Sequence, residues 1–364
     1  MLVSGTFFEK AMGMEVLVTG VYDPEYNRNR VLVSGLKKVG VEVVECPYAS
    51  RWRVDKEELR AFARDVHLVY LPPFTHADVS FVKKLVDKPL VFDPLISKYL
   101  TKVHDYQAVW KYSPRGMKNY LKDKLPLNVA DFVLCDTEHH REYFAETFKV
   151  PLEKMAVLPV GFVEDDFQPI DMHSGGGIFR VGFYGSFVPL QGIQKIVEAA
   201  RLLKDDPSIR FEIIGKGNEY DDVYRLANEE YALENLVFHG LLPYAKLSER
   251  LNAFDVCLGI FGDSLKAEMV VPNKVYHYAA VRKPIITKDS AGIREVFTDG
   301  KDIRLVAHSP QVMVDAILEL KDNLSLRSRL ARNAHETVCS RYTDRKIAET
   351  VLSILAAWAL KKCP

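Results

Sequence analysis

The 364-residue sequence is poor in cysteine and has no paired arrangement of it. Cys46, Cys135, Cys257, Cys339 and Cys363 are odd in number and include no C-x-x-C. That argues against a disulfide framework and a structural zinc site, and fits reduced thiols in a cytoplasmic protein. No long apolar run is present. The longest, 351–360, is broken by Ser353 and falls short of the ~20 residues that span a bilayer. Net charge is lacking too, with 49 Lys and Arg against 49 Asp and Glu. Nothing global draws such a chain to nucleic acid, and at most weak membrane-surface contact is expected. No basic segment opens the chain, which argues against a secretion signal; residues 1–13 precede the strand at Met14 and read as a leader that can be disordered, or as an over-called start. Two nucleotide signatures are missing. There is no G-x-x-x-x-G-K-[ST], which excludes a P-loop. There is no G-x-G-x-x-G after the first strand of either half, which argues against a nicotinamide enzyme.

What is present is ordinary globular composition, with 48% apolar and 27% charged residues, in a chain long enough for two domains. The first half alternates apolar runs with helical patterns. Residues 14–20, 41–46, 67–71, 90–93, 131–135 and 155–160 read as strands. Helical spacing appears at 27–39, 78–86 and 137–148. Apolar strands separated by helices predict a parallel sheet buried on both faces. Residues 166–178 follow, with Pro169, acidic residues and Gly175, Gly176 and Gly177, and read as a linker. The alternation then restarts, with strands at 179–185, 210–215, 236–240, 256–261 and 284–287 and helices at 192–204 and 273–281. The expected class is α/β with two doubly wound Rossmann-like units, spanning 14–165 and 179–343. Their ligands should lie outside the carboxyl ends of the strands, by default in the cleft between the units.

In the second half, glycines recur where strands end: Gly185, Gly215 with Gly217, Gly240, and Gly259 with Gly262. Each fits an ordinary tight turn, or a backbone brought close to a phosphate-bearing ligand. The densest stretch is 259–295, where a loop bearing Lys266 leads to Pro272-Asn273-Lys274 at a helix start. Asn273 can cap that helix, and Lys266 and Lys274 could neutralise a diphosphate there. The alternative is a capped helix with solvated lysines. In the first half, His76 follows a strand and could orient an acceptor hydroxyl or stabilise a departing phosphate, or sit as a structural group by Asp78. Tyr22, Arg28 and Arg30 follow the first strand, where they face a phosphate-bearing acceptor or solvate the first helix. His139 and His140 are adjacent on a helix and point apart, so they make no metal pair.

These segments resemble the family 4 glycosyltransferases, which have the GT-B fold. The residues that carry the likeness are Phe183 to Gly192 with its Pro189-Leu190-Gln191-Gly192, Pro272 to His277, Gly259 to Gly262 with Lys266, and Lys283-Pro284-Ile285-Ile286 with Asp289-Ser290. Phe92 to Leu95 with Ser97, and Asp136-Thr137 with His140, add to it in the first half. The resemblance implies a retaining, metal-independent enzyme that moves a hexose-type sugar from a nucleoside diphosphate sugar, UDP or GDP, to a carbohydrate, lipid-linked or small-molecule acceptor. No D-x-D occurs, in agreement. It also implies that the donor diphosphate meets the Gly185 loop and the helix start at Asn273, Lys274 and Val275. The base would lie by Gly215-Lys216-Gly217 and His239-Gly240, with Gly262 and Lys266 on the diphosphate. The final helix, 344–364, would cross back to the first domain.

Three positions depart from the family pattern. Ser186 and Gln191 stand where a diphosphate-binding Arg and Lys are frequent, and His277 stands where a Glu usually holds the donor ribose. A histidine can hydrogen-bond a hydroxyl but supplies no carboxylate. Two further readings therefore stay open: a catalytically silent sugar-nucleotide binding subunit, and a nucleotide-sugar 2-epimerase.

Overall fold

A computed structural model describes residues 13–171 and 177–362. The leader expected at 1–13 lies outside the described residues except for Gly13, as do Gly175, Gly176 and Cys363. The chain divides into two compact units, residues 1–163 with 342–364, and residues 164–341.

In unit 1 the chain runs β1 Glu15–Gly20, α1 Asn27–Lys38, β2 Glu42–Pro47, α2 Lys56–Asp65, β3 Leu68–Leu71, α3 Val79–Leu85, β4 Leu90–Phe92, α4 Pro114–Val129, β5 Phe132–Cys135, α5 Glu138–Phe148 and β6 Met155–Val157. Among the described residues the strands form one parallel sheet in the order β2-β1-β3-β4-β5-β6. β3, β4 and β5 are buried at every position, as expected of parallel strands covered on both faces. Helix starts follow local chemistry. Asp55 accepts the Glu57 and Glu58 amides before α2, and the Thr137 hydroxyl accepts the His140 amide before α5.

In unit 2 follow β7 Phe179–Tyr184, α6 Ile193–Leu202, β8 Ile209–Ile214, α7 Tyr220–Arg225, β9 Leu236–Gly240, α8 Leu247–Asn252, β10 Val256–Leu258, α9 Leu265–Met269, α10 Asn273–Ala280, β11 Ile285–Lys288, α11 Ala291–Arg294, β12 Arg304–Val306, α12 Pro310–Asp322 and α13 Leu324–Arg341. This sheet is also parallel among the described residues, in the order β9-β8-β7-β10-β11-β12. Its core runs from Phe183, Phe187 and Ile196 to Phe211, Ile286 and Ile317. The chain enters unit 2 between Val163 and Glu164, inside the segment expected to close the first domain. The reason is Phe167, which is buried and stacked on the His277 ring at 3.9 Å.

The last helix, α14 Asp344–Lys362, belongs to unit 1. Its Asp344 accepts from the Ser34 hydroxyl at 2.6 Å and Lys38 Nζ at 2.8 Å, and Trp358 packs on Phe132. Ile347, Val351 and Leu352 are buried, so this helix presents no apolar stripe to a membrane.

Two sheet orders matter for function. In each, the order in which successive strands are laid down reverses at one point, between β1 and β3 in unit 1 and between β7 and β10 in unit 2. Ligands of open α/β sheets bind outside the strands' carboxyl ends at such a reversal.

Candidate functional site

The carboxyl ends at the unit 2 reversal carry most of the residues singled out from the sequence. After β7 the chain makes Gly185 and the turn Pro189–Gln191. After β10 it makes 259–263. These two loops are joined by backbone hydrogen bonds, Phe261 N to Gln191 O at 3.0 Å and Gly262 N to Leu190 O at 3.1 Å. The strand expected over 256–261 spans only Val256–Leu258; Gly259 N still donates to Ile286 O at 2.8 Å, and the Phe261 and Gly262 amides then bond to the 189–192 turn. At Gly262 an added Cβ would lie 2.5 Å from the Leu190 carbonyl oxygen, so only glycine lets these backbones meet. The neighbouring β8 end joins them. Gly185 N donates to Ile214 O at 2.9 Å and Gly215 N to Gly240 O at 2.7 Å. Gly215 has φ +131°, and a Cβ there would lie 1.9 Å from the Gly185 carbonyl oxygen.

Several lysines hold this assembly. Lys274, on α10, is buried; its Nζ donates to Gln191 Oε1 and lies 3.6 Å from the centre of the Phe183 ring. Burial drives its ammonium well below a lysine's ordinary pKa. Lys274 was expected to face a diphosphate. It sits beneath the Gly185 turn instead and reaches the amide that stands in a frequent lysine position. Lys288, which sequence reasoning missed, donates to Gly262 O at 2.9 Å and pairs with Glu268. Lys195, also missed, ties the Phe261 carbonyl at 3.0 Å and Asp263. Lys195 lies outside every motif, and Lys288 lies within 259–295 between Ile286 and Asp289. Lys266 was expected on a loop but falls in the short helix α9, where it is buried.

Other expected donor residues are placed as follows. Ser186, Lys216 and Gly217 are exposed at the strand ends, with Lys216 Nζ 4.9 Å from the Tyr220 ring centre. Asn273 does not cap α10: Pro272 is the cap residue, and Asn273 is the first helical residue. The Val275 side chain is in the core and its amide is bonded to Pro272 O, so it offers a ligand nothing. His239 turns from the strand end to the sheet face. There Glu212 takes Nε2 of His239 at 2.9 Å, Arg180 at 2.6 Å, and Arg250. Burial pushes the Glu212 carboxyl up, but these three donors outweigh it and hold it below its usual pKa. Only Gly240 remains at the strand end.

His277 is 2% exposed. Its ring stacks on Phe167 and lies parallel to Tyr184, whose hydroxyl meets Nδ1. Burial lowers its pKa to about 3, so the imidazole is neutral at physiological pH. His277, expected at the donor ribose, has its ring within an aromatic stack.

In unit 1, Gly20 ends β1 with φ +126°, where an added Cβ would lie 2.7 Å from the Thr75 methyl, and the other strand ends are filled by side chains. Arg28 has no exposed surface. Its Nε donates to Asp93 at 2.7 Å and Nη2 to Leu158 O at 2.9 Å, and Nη1 donates to Pro159 O. Tyr70 donates to the same Asp93 oxygen at 2.9 Å. Arg28 therefore turns inward and presents no group to an acceptor, which corrects that expectation. Arg30 pairs with the exposed Glu25, and Tyr22 is half-buried. His76 lies by the β1/β3 reversal, yet it is buried with Nε2 3.1 Å from the Ile96 carbonyl. Burial, then Lys98, lowers its pKa to about 3. It is a neutral donor to backbone, so the catalytic role expected of it is not supported by this geometry. Asp136 and His140 form a buried pair at 2.6 Å. Among the described residues no cluster of three or more His, Cys, Asp or Glu can hold a metal.

Comparison with solved structures decides the architecture. HepE from Anabaena, whose crystal structure holds UDP and glucose, superposes with a TM-score of 0.73 at 14% identity, over 94% of this chain and all of that one. Sucrose-phosphate synthase from Thermosynechococcus elongatus gives 0.74 at 14%, over 96% and 100%. The fold is GT-B. Within this GT-B chain, residues 191–353 match the family described as glycosyl transferase-like. The lipopolysaccharide core biosynthesis glycosyltransferase LpsE of Rhizobium meliloti is 25% identical over 174 residues, 48% of each chain. The chain spans about half or less of the length of the curated relatives it matches first. No helix among the described residues is long and apolar enough to cross a membrane.

Proposed function

We propose that the protein is a glycosyltransferase that moves a hexose-type sugar, with retention, from a nucleoside diphosphate sugar to an acceptor hydroxyl. The observation that carries this is the joining of the 189–192 turn to the 259–262 loop at the β7/β10 reversal, over a buried Lys274. Close backbone approaches keep side chains off these strand ends, and the start of α10, where Asn273 is the first helical residue, supplies the amides a diphosphate would meet. Lys266 and the start of α10 lie on the chain that follows this loop. Fixed positive charge and oriented amides stabilise the leaving diphosphate as the bond to the sugar breaks, and cost no reorganisation at that moment. No side chain is nominated as a covalent nucleophile. UDP is the first donor base to try, given the UDP held by HepE. A carbohydrate or lipid-linked acceptor and a cytoplasmic setting complete the reading.

A second reading is a silent sugar-nucleotide binding subunit, favoured by His277, which offers no carboxylate. The 2-epimerase reading needs clustered free carboxylates in unit 1. Asp93, Asp123 and Asp136 are buried there, and each is engaged, by Arg28, Ser97 and His140 respectively. The deciding experiment is a thermal-shift panel with UDP, GDP, ADP, TDP and CMP, followed by turnover of the matching sugar nucleotides. One diphosphate at 100 times its dissociation constant should stabilise the protein by about 2.7 kcal/mol. A shift with turnover supports the transferase, a shift without turnover supports the silent subunit, and no shift from any nucleotide removes both.

A further inference from the structure

We propose that α4 and the loop before it form a docking face for the surface of an anionic lipid bilayer. One side of α4 is built into unit 1 through Gly116, Asp123, Pro126 and Leu127, all buried. The other side carries Met117, Leu121 and Leu125, four residues apart and so aligned in one stripe, with exposures of 52%, 42% and 56%. At its head the loop presents Trp110 and Tyr112, 68% and 69% exposed, with rings edge to face at 5.2 Å. This loop is fixed on the helix. Ser113 accepts the Gly116 amide at 3.0 Å, and Gly116 lies so close under the Trp110 carbonyl that a Cβ would come within 2.4 Å.

Charge borders the stripe. On the helical wheel Lys118, Lys122 and Arg115 fall along one flank and Lys124 along the other. The single acidic residue of α4, Asp123, is fully buried and accepts from the Ser97 hydroxyl at 2.7 Å and from the Lys98 and Tyr99 amides. The exposed face of α4 thus carries cations and no carboxylate, in a chain whose charges balance overall. An aliphatic stripe between rows of lysine, with Trp and Tyr at one end, matches an interfacial helix that sinks its apolar side into the headgroup region while the lysines meet anionic lipid. Nucleic acid would meet the cations but has nothing to bury Met117, Leu121 and Leu125 against. The surface is independent of the transfer reaction, so failure of one leaves the other standing.

The test is flotation of the full chain with vesicles of phosphatidylcholine alone or mixed with phosphatidylglycerol. Binding to the mixed vesicles at low salt, weak binding to phosphatidylcholine and release by salt are expected. Leu121→Glu with Leu125→Glu should lower partitioning at least tenfold. Lys118→Gln and Lys122→Gln should each lower it about fivefold. The melting temperature should stay unchanged, since all four side chains are exposed. No binding by the parent chain, or equal binding to both vesicle types, overturns the proposal. So does retention of binding to heparin and vesicles alike in the Leu121/Leu125 variant, which would reduce the face to a patch of charge. A concentration-dependent dimer in gel filtration that Leu121→Glu disrupts, without vesicle binding, would assign the face to a second copy of the chain and overturn it equally.

Discussion

The two units place a reversal of strand order in parallel sheets of the same size and line it with different matter. At the unit 2 reversal, Gly185, Gly215 and Gly262 bring backbone against backbone, and lysines brace the loops from below. At the unit 1 sheet end, beside Gly20, buried side chains pair with one another: Arg28 with Asp93 and Tyr70, Asp136 with His140, and Asp123 with Ser97. Strand ends kept clear of side chains leave room for a ligand. A buried ion pair already has its partner. Charge counting along the sequence would favour unit 1 as the anion site, whereas the geometry favours unit 2.

The strongest way to break this contrast is Arg28→Met. If the Arg28 pair is structural, leaving Asp93 buried without its cation should destabilise the protein by about 3–5 kcal/mol, read by denaturant unfolding. Nucleotide affinity of the protein that remains folded should not change. A stable variant with altered acceptor kinetics would return Arg28 to the binding set. Gly215→Ala is the counterpart in unit 2. Its positive φ and the Gly185 carbonyl in the way should cost about 3 kcal/mol, together with loss of the nucleotide-induced thermal shift. Retained binding would detach the glycine loops from the donor.

Much of the fold was legible because buried parallel strands announce themselves as apolar runs. β1, β3, β7 and β8 fall within a residue or two of their expected positions. α2 and α4 escaped notice for a physical reason. α4 holds Pro126 near its end and buries only a narrow side, so its apolar residues face both the core and solvent and blur the helical period. β12 has three residues, too few to show a period. At the site, glycine positions were readable, since a glycine at a strand end has few other uses. The direction of a side chain was not. His239, Val275 and His277 all lie in recognisable motifs, yet each turns into the protein. Lys195 acts from outside every motif and Lys288 from within one, both through carbonyls that only the folded loops bring near.

Lys266→Gln sharpens the comparison at the level of affinity. A charge-assisted contact to a diphosphate is worth about 1.5–3 kcal/mol, so nucleotide binding by calorimetry should weaken roughly tenfold to a hundredfold. Unchanged affinity would move the charge to Lys216 or to the helix start.

The last test probes what the two units share, a buried neutral histidine in each. His76 and His277 both have pKa values near 3 in the folded protein, against about 6.5 when unfolded. The unfolded chain takes up these protons first as pH falls. Stability is therefore complete above about pH 6.5 and is lost progressively down to about pH 3, by up to about 1.4 kcal/mol per pH unit for each ring. His277→Phe keeps the stack on Phe167 and removes one titration. Its unfolding free energy should start lower at pH 7, because the Tyr184 hydroxyl loses its partner. It should then fall less steeply than that of the parent between pH 6.5 and 4. Parallel curves would mean that the ring gains a proton without leaving the stack, and that the site opens to water where the structure encloses it.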